Sequence, residues 1–149
     1  MIKLLSECEA TYHRKQIETL LKYCRESSSK VHFSDDYYEE KVDSLLNYLK
    51  EQRAYYFAVF ENESIVGFMW ACVIEKNSQK VFHILYFAVL PDYQSRGYGG
   101  KLMREAEKQA RLSECNQIEL NVNIRNVNVI NFYKKHLFYE DHIVLKRDI

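Results

Sequence analysis

The sequence predicts an α+β fold with a mixed sheet, and three observations carry that prediction. Two stretches of helical periodicity come first. Three consecutive β-rich runs follow. A strand, a glycine loop and a helix then lead into one further strand–helix pair. The predicted order is β-α-α-β-β-β-α-β-α-β, with a closing strand at the end. The 149 residues suit one domain spanning 1–149, and no repeat, low-complexity tract or linker interrupts them.

Taken in order, Ile2 to Leu5 forms a short first strand. From about Tyr12 to Glu26, Ile17, Leu20, Leu21 and Cys24 recur at i, i+3, i+4, i+7, the stripe of an amphipathic helix. Ser27-Ser28-Ser29 ends it. Ser34, followed by Asp35 and Asp36, starts a second helix with acids in its first turn. Val42, Leu45, Leu46 and Leu49 give that helix its buried stripe, to about Gln52. Ala54 to Phe60 and Ile65 to Ile74 are β-rich and flank the polar turn Glu61–Ser64, which predicts an antiparallel hairpin. Val81 to Leu90 is a third long strand. Lys101 to about Leu112 is a helix with Leu102, Ala106 and Ala110 on one face. Ile118, Leu120 and Val122 alternate with polar residues as a half-buried strand. Asn126 to His136 is a helix, and Phe138 to Lys146 supplies one or two closing strands.

Composition excludes several classes. There are 21 basic and 21 acidic residues, so no global field recruits nucleic acid or an anionic membrane. Neither partner is expected. The start MIKLLSECEATYHRK has no apolar signal core, and no run approaches the roughly 20 apolar residues of a membrane span. Cys8, Cys24, Cys72 and Cys115 are widely spaced with no C-x-x-C, which suits reduced thiols in a cytoplasmic protein without a metal.

The chemistry concentrates between Leu85 and Met103, LYFAVLPDYQSRGYGGKLM. Gly97, Gly99 and Gly100 are three of the chain's four glycines. A strand, a tight glycine loop and a helix N-terminus aim backbone N–H groups and the helix dipole at one place, an anion site usually filled by phosphate. The spacing rejects a P-loop, because Gly100-Lys101 is followed by Leu102 and Ser95 stands where the first glycine belongs. It rejects the dinucleotide fingerprint too, because position 102 is leucine. What remains is Q-x-x-G-x-G, carried by Gln94, Gly97 and Gly99.

This loop resembles the acetyl-CoA pyrophosphate loop of the GNAT N-acetyltransferases, [QR]-x-x-G-x-[GA]. A second stretch, Ile118 to Phe138, is similar to that family's L-x-V-x-x-x-N-x-x-A-x-x-F-Y-x-K-x-G-F. Here it supplies Leu120, Val122, Asn126, Val129 in place of alanine, Phe132-Tyr133, Lys135, Leu137 in place of glycine, and Phe138. The likeness is clear over about Ala54 to Phe138. Leu137 replaces a glycine that ends the helix with positive φ. A leucine held there would cost about 1–2 kcal/mol, so a different helix end is expected.

The resemblance implies a mostly antiparallel twisted sheet flanked by helices. It implies acetyl-CoA as cosubstrate and a primary amine as acceptor, on a small molecule or on a protein. It also implies that backbone at Ser95, Arg96, Gly97, Tyr98, Gly99, Gly100 and Lys101 holds the pyrophosphate. Phe87, Ala88 and Val89 would pair with the pantetheine amides as an added strand does. The Val89 N–H would polarise the thioester carbonyl. Tyr133 would donate a proton to the leaving thiolate. Asn126 either caps its helix or touches the cofactor. A glutamate serves as base in one branch of the family; counting back from Gln94, His83 holds that position, and an imidazole suits neutral pH. Tyr86, Glu75 and Glu119 are further candidates. The acids between Asp35 and Asp43 border the acceptor region in the family or simply match a helix dipole. No cysteine or serine sits in an activated context near the loop, so the amine is expected to attack directly in a ternary complex. The alternative is a non-catalytic acyl-CoA-binding or partner-binding module. A monomer and a homodimer both fit.

Overall fold

A computed structural model describes residues Met1–Ile149. Its elements are β1 (Ile2–Leu4), α1 (Glu7–Tyr12), α2 (Arg14–Ser29), α3 (Asp35–Lys50), β2 (Tyr55–Glu61), β3 (Ser64–Lys76), β4 (Gln79–Val89), α4 (Tyr98–Leu112), β5 (Gln117–Leu120) and α5 (Val127–Lys135). The strands form one sheet in the order β1-β2-β3-β4-β5. Every neighbouring pair is antiparallel except β4–β5, which is parallel. No helix is long and apolar enough to cross a membrane.

Helices cover both faces of the sheet. Against one face, α2 and α3 bury Ile17, Leu20, Leu21, Tyr38, Val42 and Leu45 on Tyr56, Phe68 and Trp70. Against the other, α4 and α5 bury Leu102, Met103, Ala106 and Tyr133 on Phe57, Met69, Phe82 and Ile84. Successive side chains of a strand point to opposite faces. The central strand β3 therefore needs apolar residues at every position, which is why Ile65–Ala71 is buried throughout. Each large side chain removed from water contributes about 1.5–3 kcal/mol.

The caps follow local chemistry. The Ser34 hydroxyl accepts from the Tyr37 N–H, and Asp35 and Asp36 lie in the first turn of α3, where they complement the helix dipole. α1 was not expected, although its signal is legible in Ser6-x-x-Glu9. The Ser6 hydroxyl takes the Glu9 N–H, and the Glu9 carboxylate takes the Ser6 N–H.

Two expectations fail at the C-terminal end. The segment 139–149 forms no strand: Tyr139, Ile143, Val144 and Leu145 are exposed, and no strand pairs with them. A strand exists only by pairing, and β5 takes β4 alone as neighbour. Likewise β5 stops at Leu120, so Val122 is exposed outside the sheet.

Leu137 is a further correction, in the opposite sense. It adopts the left-handed geometry of the glycine it replaces, at φ +68°. The Leu137 N–H bonds the Lys134 carbonyl, and the Phe138 N–H bonds the Tyr133 carbonyl. That is a complete Schellman end, and Phe138 packs on Tyr133 at 5.5 Å between ring centroids, as the motif favours. The leucine side chain is 91% exposed, so no burial compensates its backbone strain. Leu137→Gly is therefore expected to stabilise the fold by about 0.5–1 kcal/mol, the relief of strain less glycine's extra unfolded-state entropy. Urea unfolding at equilibrium measures it, and a destabilised variant would contradict this account.

Candidate active site

The site begins where β4 ends. After Val89 the chain makes a single turn of 3-10 helix at Pro91–Tyr93. The Gln94 side-chain amide then reaches back and donates to the Val89 carbonyl at 2.9 Å, clamping the loop to the strand. Ser95 and Gly97 both take positive φ, +61° and +81°. Gly97 is the residue before α4, and no side chain caps that helix. The six backbone N–H groups from Ser95 to Gly100 donate to no acceptor in the protein, and the first bond of the helix is Lys101 N–H to the Gly97 carbonyl. Successive amides with alternating backbone handedness make a concave nest for anions.

The side chains around the loop leave that nest open. Arg96 bonds the Asp92 carbonyl at 3.0 Å and stacks over Tyr93 at 4.9 Å. Lys101 lies over the Tyr98 ring at 5.5 Å. Gly99 has a different task from Gly97: a Cβ there would meet the Phe132 ring at 3.0 Å. Its absence lets α5 pack against the start of α4.

Beside the loop the sheet opens. β4 and β5 pair only from Val81↔Gln117 to Ile84↔Leu120. Between Trp70↔Tyr86 and Ala71↔Ile84 the β3–β4 register shifts, leaving Leu85 as an extra, half-exposed residue on β4. Beyond it β4 still pairs with β3, but β5 has turned away. Phe87 and Val89 therefore present backbone groups to an open edge. The Phe87 carbonyl accepts the Cys24 thiol at 3.7 Å, and the Val89 carbonyl accepts Gln94. By the alternation of an antiparallel ladder their N–H groups face the same way. Ala88 is turned towards Phe68 in β3 by that same alternation, which separates it from the other two.

Tyr133 reaches this opening from the α5 side. It is 9% exposed, packed on Phe87 at 6.2 Å between ring centroids and held by Phe138. Burial, and then the nearby Cys24 thiol, push its phenol well above the ordinary tyrosine range. Its hydroxyl donates to no protein acceptor. His83 lies on the opposite face of the sheet, where Trp70, Cys72, Tyr86 and Ala88 also point, with Cys72 directly across from it. Its Nδ1 meets Glu119 at 3.0 Å, and Lys76 holds the other oxygen of that carboxylate at 2.7 Å. Burial opposes the charge on Glu119, but the bonds from Lys76 and His83 outweigh it and hold the carboxyl below its ordinary range. A carboxylate can only accept, so Nδ1 donates to it, and Nε2 is the ring nitrogen without a protein partner.

The structure thus gathers Phe87, Val89, Gln94, Ser95 to Lys101 and Tyr133 around one opening, with His83 across the sheet. Asn126 stands at the N-terminus of α5 without a side-chain capping bond. Two of the acids between Asp35 and Asp43 are engaged elsewhere: Asp43 pairs with Arg14 at 2.6 Å and Asp35 with Lys22 at 3.5 Å, both partners on α2. Two features escaped the sequence reading, the Cys24 thiol on β4 and the pairing of Glu119 with His83. Glu119, a further base candidate, lies against the His83 ring. Only the parity of the strand pair could have shown that.

Residues 14–138 match the acetyltransferase (GNAT) family. An uncharacterized N-acetyltransferase of Methanocaldococcus jannaschii is 31% identical over 101 residues, 64% of this chain and 44% of that protein. The chain therefore spans less than half the length of this curated relative. Among solved structures, an aminoglycoside acetyltransferase from an uncultured soil metagenomic sample, in complex with trehalose, superposes with a TM-score of 0.78 at 18% identity, over 100% of this chain and 95% of that one. An aminoglycoside N-acetyltransferase in complex with CoA also gives 0.78, at 17% identity over 99% and 93%. At such identities these two establish the shared fold alone.

Proposed function

The chain belongs to the GNAT acetyltransferase family, and from that premise we propose that it transfers the acetyl group of acetyl-CoA to a primary amine by direct attack in a ternary complex. The observation that carries this is the run of six unengaged amides from Ser95 to Gly100, opening on the gap between β4 and β5. A pyrophosphate matches that nest in charge and in acceptor count. The open edge at Phe87 and Val89 suits the amides of a pantetheine arm. The solved relative that holds CoA supports this choice of cosubstrate. The Ala88 backbone, turned to β3, has no part in it.

The chemistry follows from which face each group occupies. An ammonium is no nucleophile, so His83 Nε2, its ring fixed by Glu119, takes a proton from the incoming amine. The amine nitrogen then attacks the thioester carbonyl, whose oxygen gains negative charge near the Val89 N–H. The C–S bond breaks, the departing thiolate takes the Tyr133 proton, and the second proton shed by the new amide nitrogen restores the phenol. The net change is one amide and one thiol formed, with one proton released to solvent through His83. Base and acid on opposite faces keep the deprotonation of the ammonium apart from the protonation of the thiolate. The chain does this as one domain.

Two measurements test it. Acetyl-CoA and CoA should raise the melting temperature while ATP and NADH do not. An amine panel should then drive thiol release from acetyl-CoA. Binding without release by any amine would turn the reading to a non-catalytic acyl-CoA module.

His83→Gln is expected to lower the rate roughly 10²-fold while acetyl-CoA binding, followed by thermal shift, stays unchanged. An unaltered rate in initial-rate measurements would assign the base elsewhere.

A further inference from the structure

The α2/α3 face of the sheet carries a cavity of about 420 Å³ with no assigned role. Its floor includes Trp70, Cys72 and Ile74, alternate residues on one face of β3. Its walls are Tyr48 and Arg53 at the C-terminal end of α3, and Leu85, the extra residue on β4. Cys72 pairs directly with His83, so the floor adjoins the imidazole at one strand spacing. Leu85 lies between His83 and the open edge at Phe87. The cavity therefore sits on the base's side of the sheet, and Leu85 is the lining residue that connects it to the open edge. Its volume falls within the usual range for a small-molecule site.

The lining is chemically one-sided. Eight of its ten residues are hydrophobic, and the single charged side chain is Arg53. That guanidinium stacks over the Tyr48 ring at 5.2 Å and pairs with Glu51 at 3.0 Å at the rim. No carboxylate lines the cavity. None of the acids of α3 lines it, and two of them, Asp35 and Asp43, pair with α2.

We infer that this cavity is the acceptor site, and that it takes a monoamine on an apolar, aromatic or alkyl body rather than a polycation. This rests on the acetyltransferase reading and names its substrate class. A polycation would bring a second positive charge against Arg53, with no lining carboxylate to pair it. An arylalkylamine buries its body on Trp70, Ile74 and Leu85 and presents one nitrogen towards His83.

The test is thiol release from acetyl-CoA with 2-phenylethylamine, hexylamine, spermidine and kanamycin. It is run on the wild type, Leu85→Glu and Tyr48→Ala, with acetyl-CoA binding followed separately by thermal shift. Leu85 and Tyr48 are half-exposed, so both variants should fold. Wild-type kcat/KM for 2-phenylethylamine is expected to exceed that for spermidine and kanamycin by about tenfold or more. Each variant should lose about tenfold of it with acetyl-CoA binding unchanged, and Leu85→Glu should narrow the gap to spermidine. Polycations preferred over the arylalkylamine, no release with either monoamine, or variants that leave the monoamine rate unchanged would each overturn the inference. Loss of acetyl-CoA binding by the wild type itself would instead overturn the reading beneath it.

Discussion

Gly97→Val is expected to abolish acetyl-CoA binding while leaving the protein folded. The argument is backbone geometry, because a Cβ at position 97 meets nothing within 4 Å. The obstacle is φ at +81°, where an L-residue costs about 1–2 kcal/mol and a β-branched one more. A valine relieves that strain by returning to negative φ. The amides of Ser95 to Gly100 then no longer converge, and the anion loses several hydrogen bonds at once. In the wild type, ligand at a hundred times its Kd stabilises by about 2.7 kcal/mol. For a chain of this size that is a rise in Tm on the order of 5–10 °C. The variant should show almost none, and Gly97→Ala an intermediate rise. A full shift in Gly97→Val would mean that the nest is not where the pyrophosphate binds.

Tyr133→Phe is expected to lower kcat roughly 10²-fold with KM for acetyl-CoA and stability nearly unchanged. The ring is buried against Phe87, Phe132 and Phe138, and phenylalanine keeps that packing. The hydroxyl makes no bond in the protein, so its removal orphans no partner. What disappears is the proton for the leaving thiolate. Burial raises the phenol, and it disfavours the thiolate in the same cleft, so the transfer stays matched. Because that phenol remains protonated well above neutrality, Tyr133 should add no downturn of rate across the neutral range. A thioester with a more acidic leaving thiol should recover part of the lost rate. Unchanged kcat would remove Tyr133 from the mechanism.

Leu137 and the tail behind it show where local rules stop. At position 137 steric preference alone argued against a left-handed helix end. The contact of Phe138 with Tyr133, together with two backbone bonds to the last turn of α5, overrides that preference at the expense of strain. From about Phe138 to Lys146 a partly apolar stretch reads as one or two closing strands, and no neighbouring edge accepts it.

Spacing along the chain was enough for the helical stripes, the hairpin, the glycine loop and the placing of Tyr133, because each depends on residues within one or two turns of each other. Gln94, Gly97 and Gly99 acquire their tasks from a handful of neighbouring dihedral angles. Only the tertiary structure decided the rest. The extra residue at Leu85, the parting of β5 from β4 after Ile84, the alternation that sets Phe87 and Val89 apart from Ala88, and the carboxylate that orients His83 all depend on strand register. Register here joins residues such as Trp70 and Tyr86, and His83 and Glu119, that lie well apart in the sequence. It is set by which side chains fill the two cores, and a slip of one residue would turn every side chain of the strand to the other face.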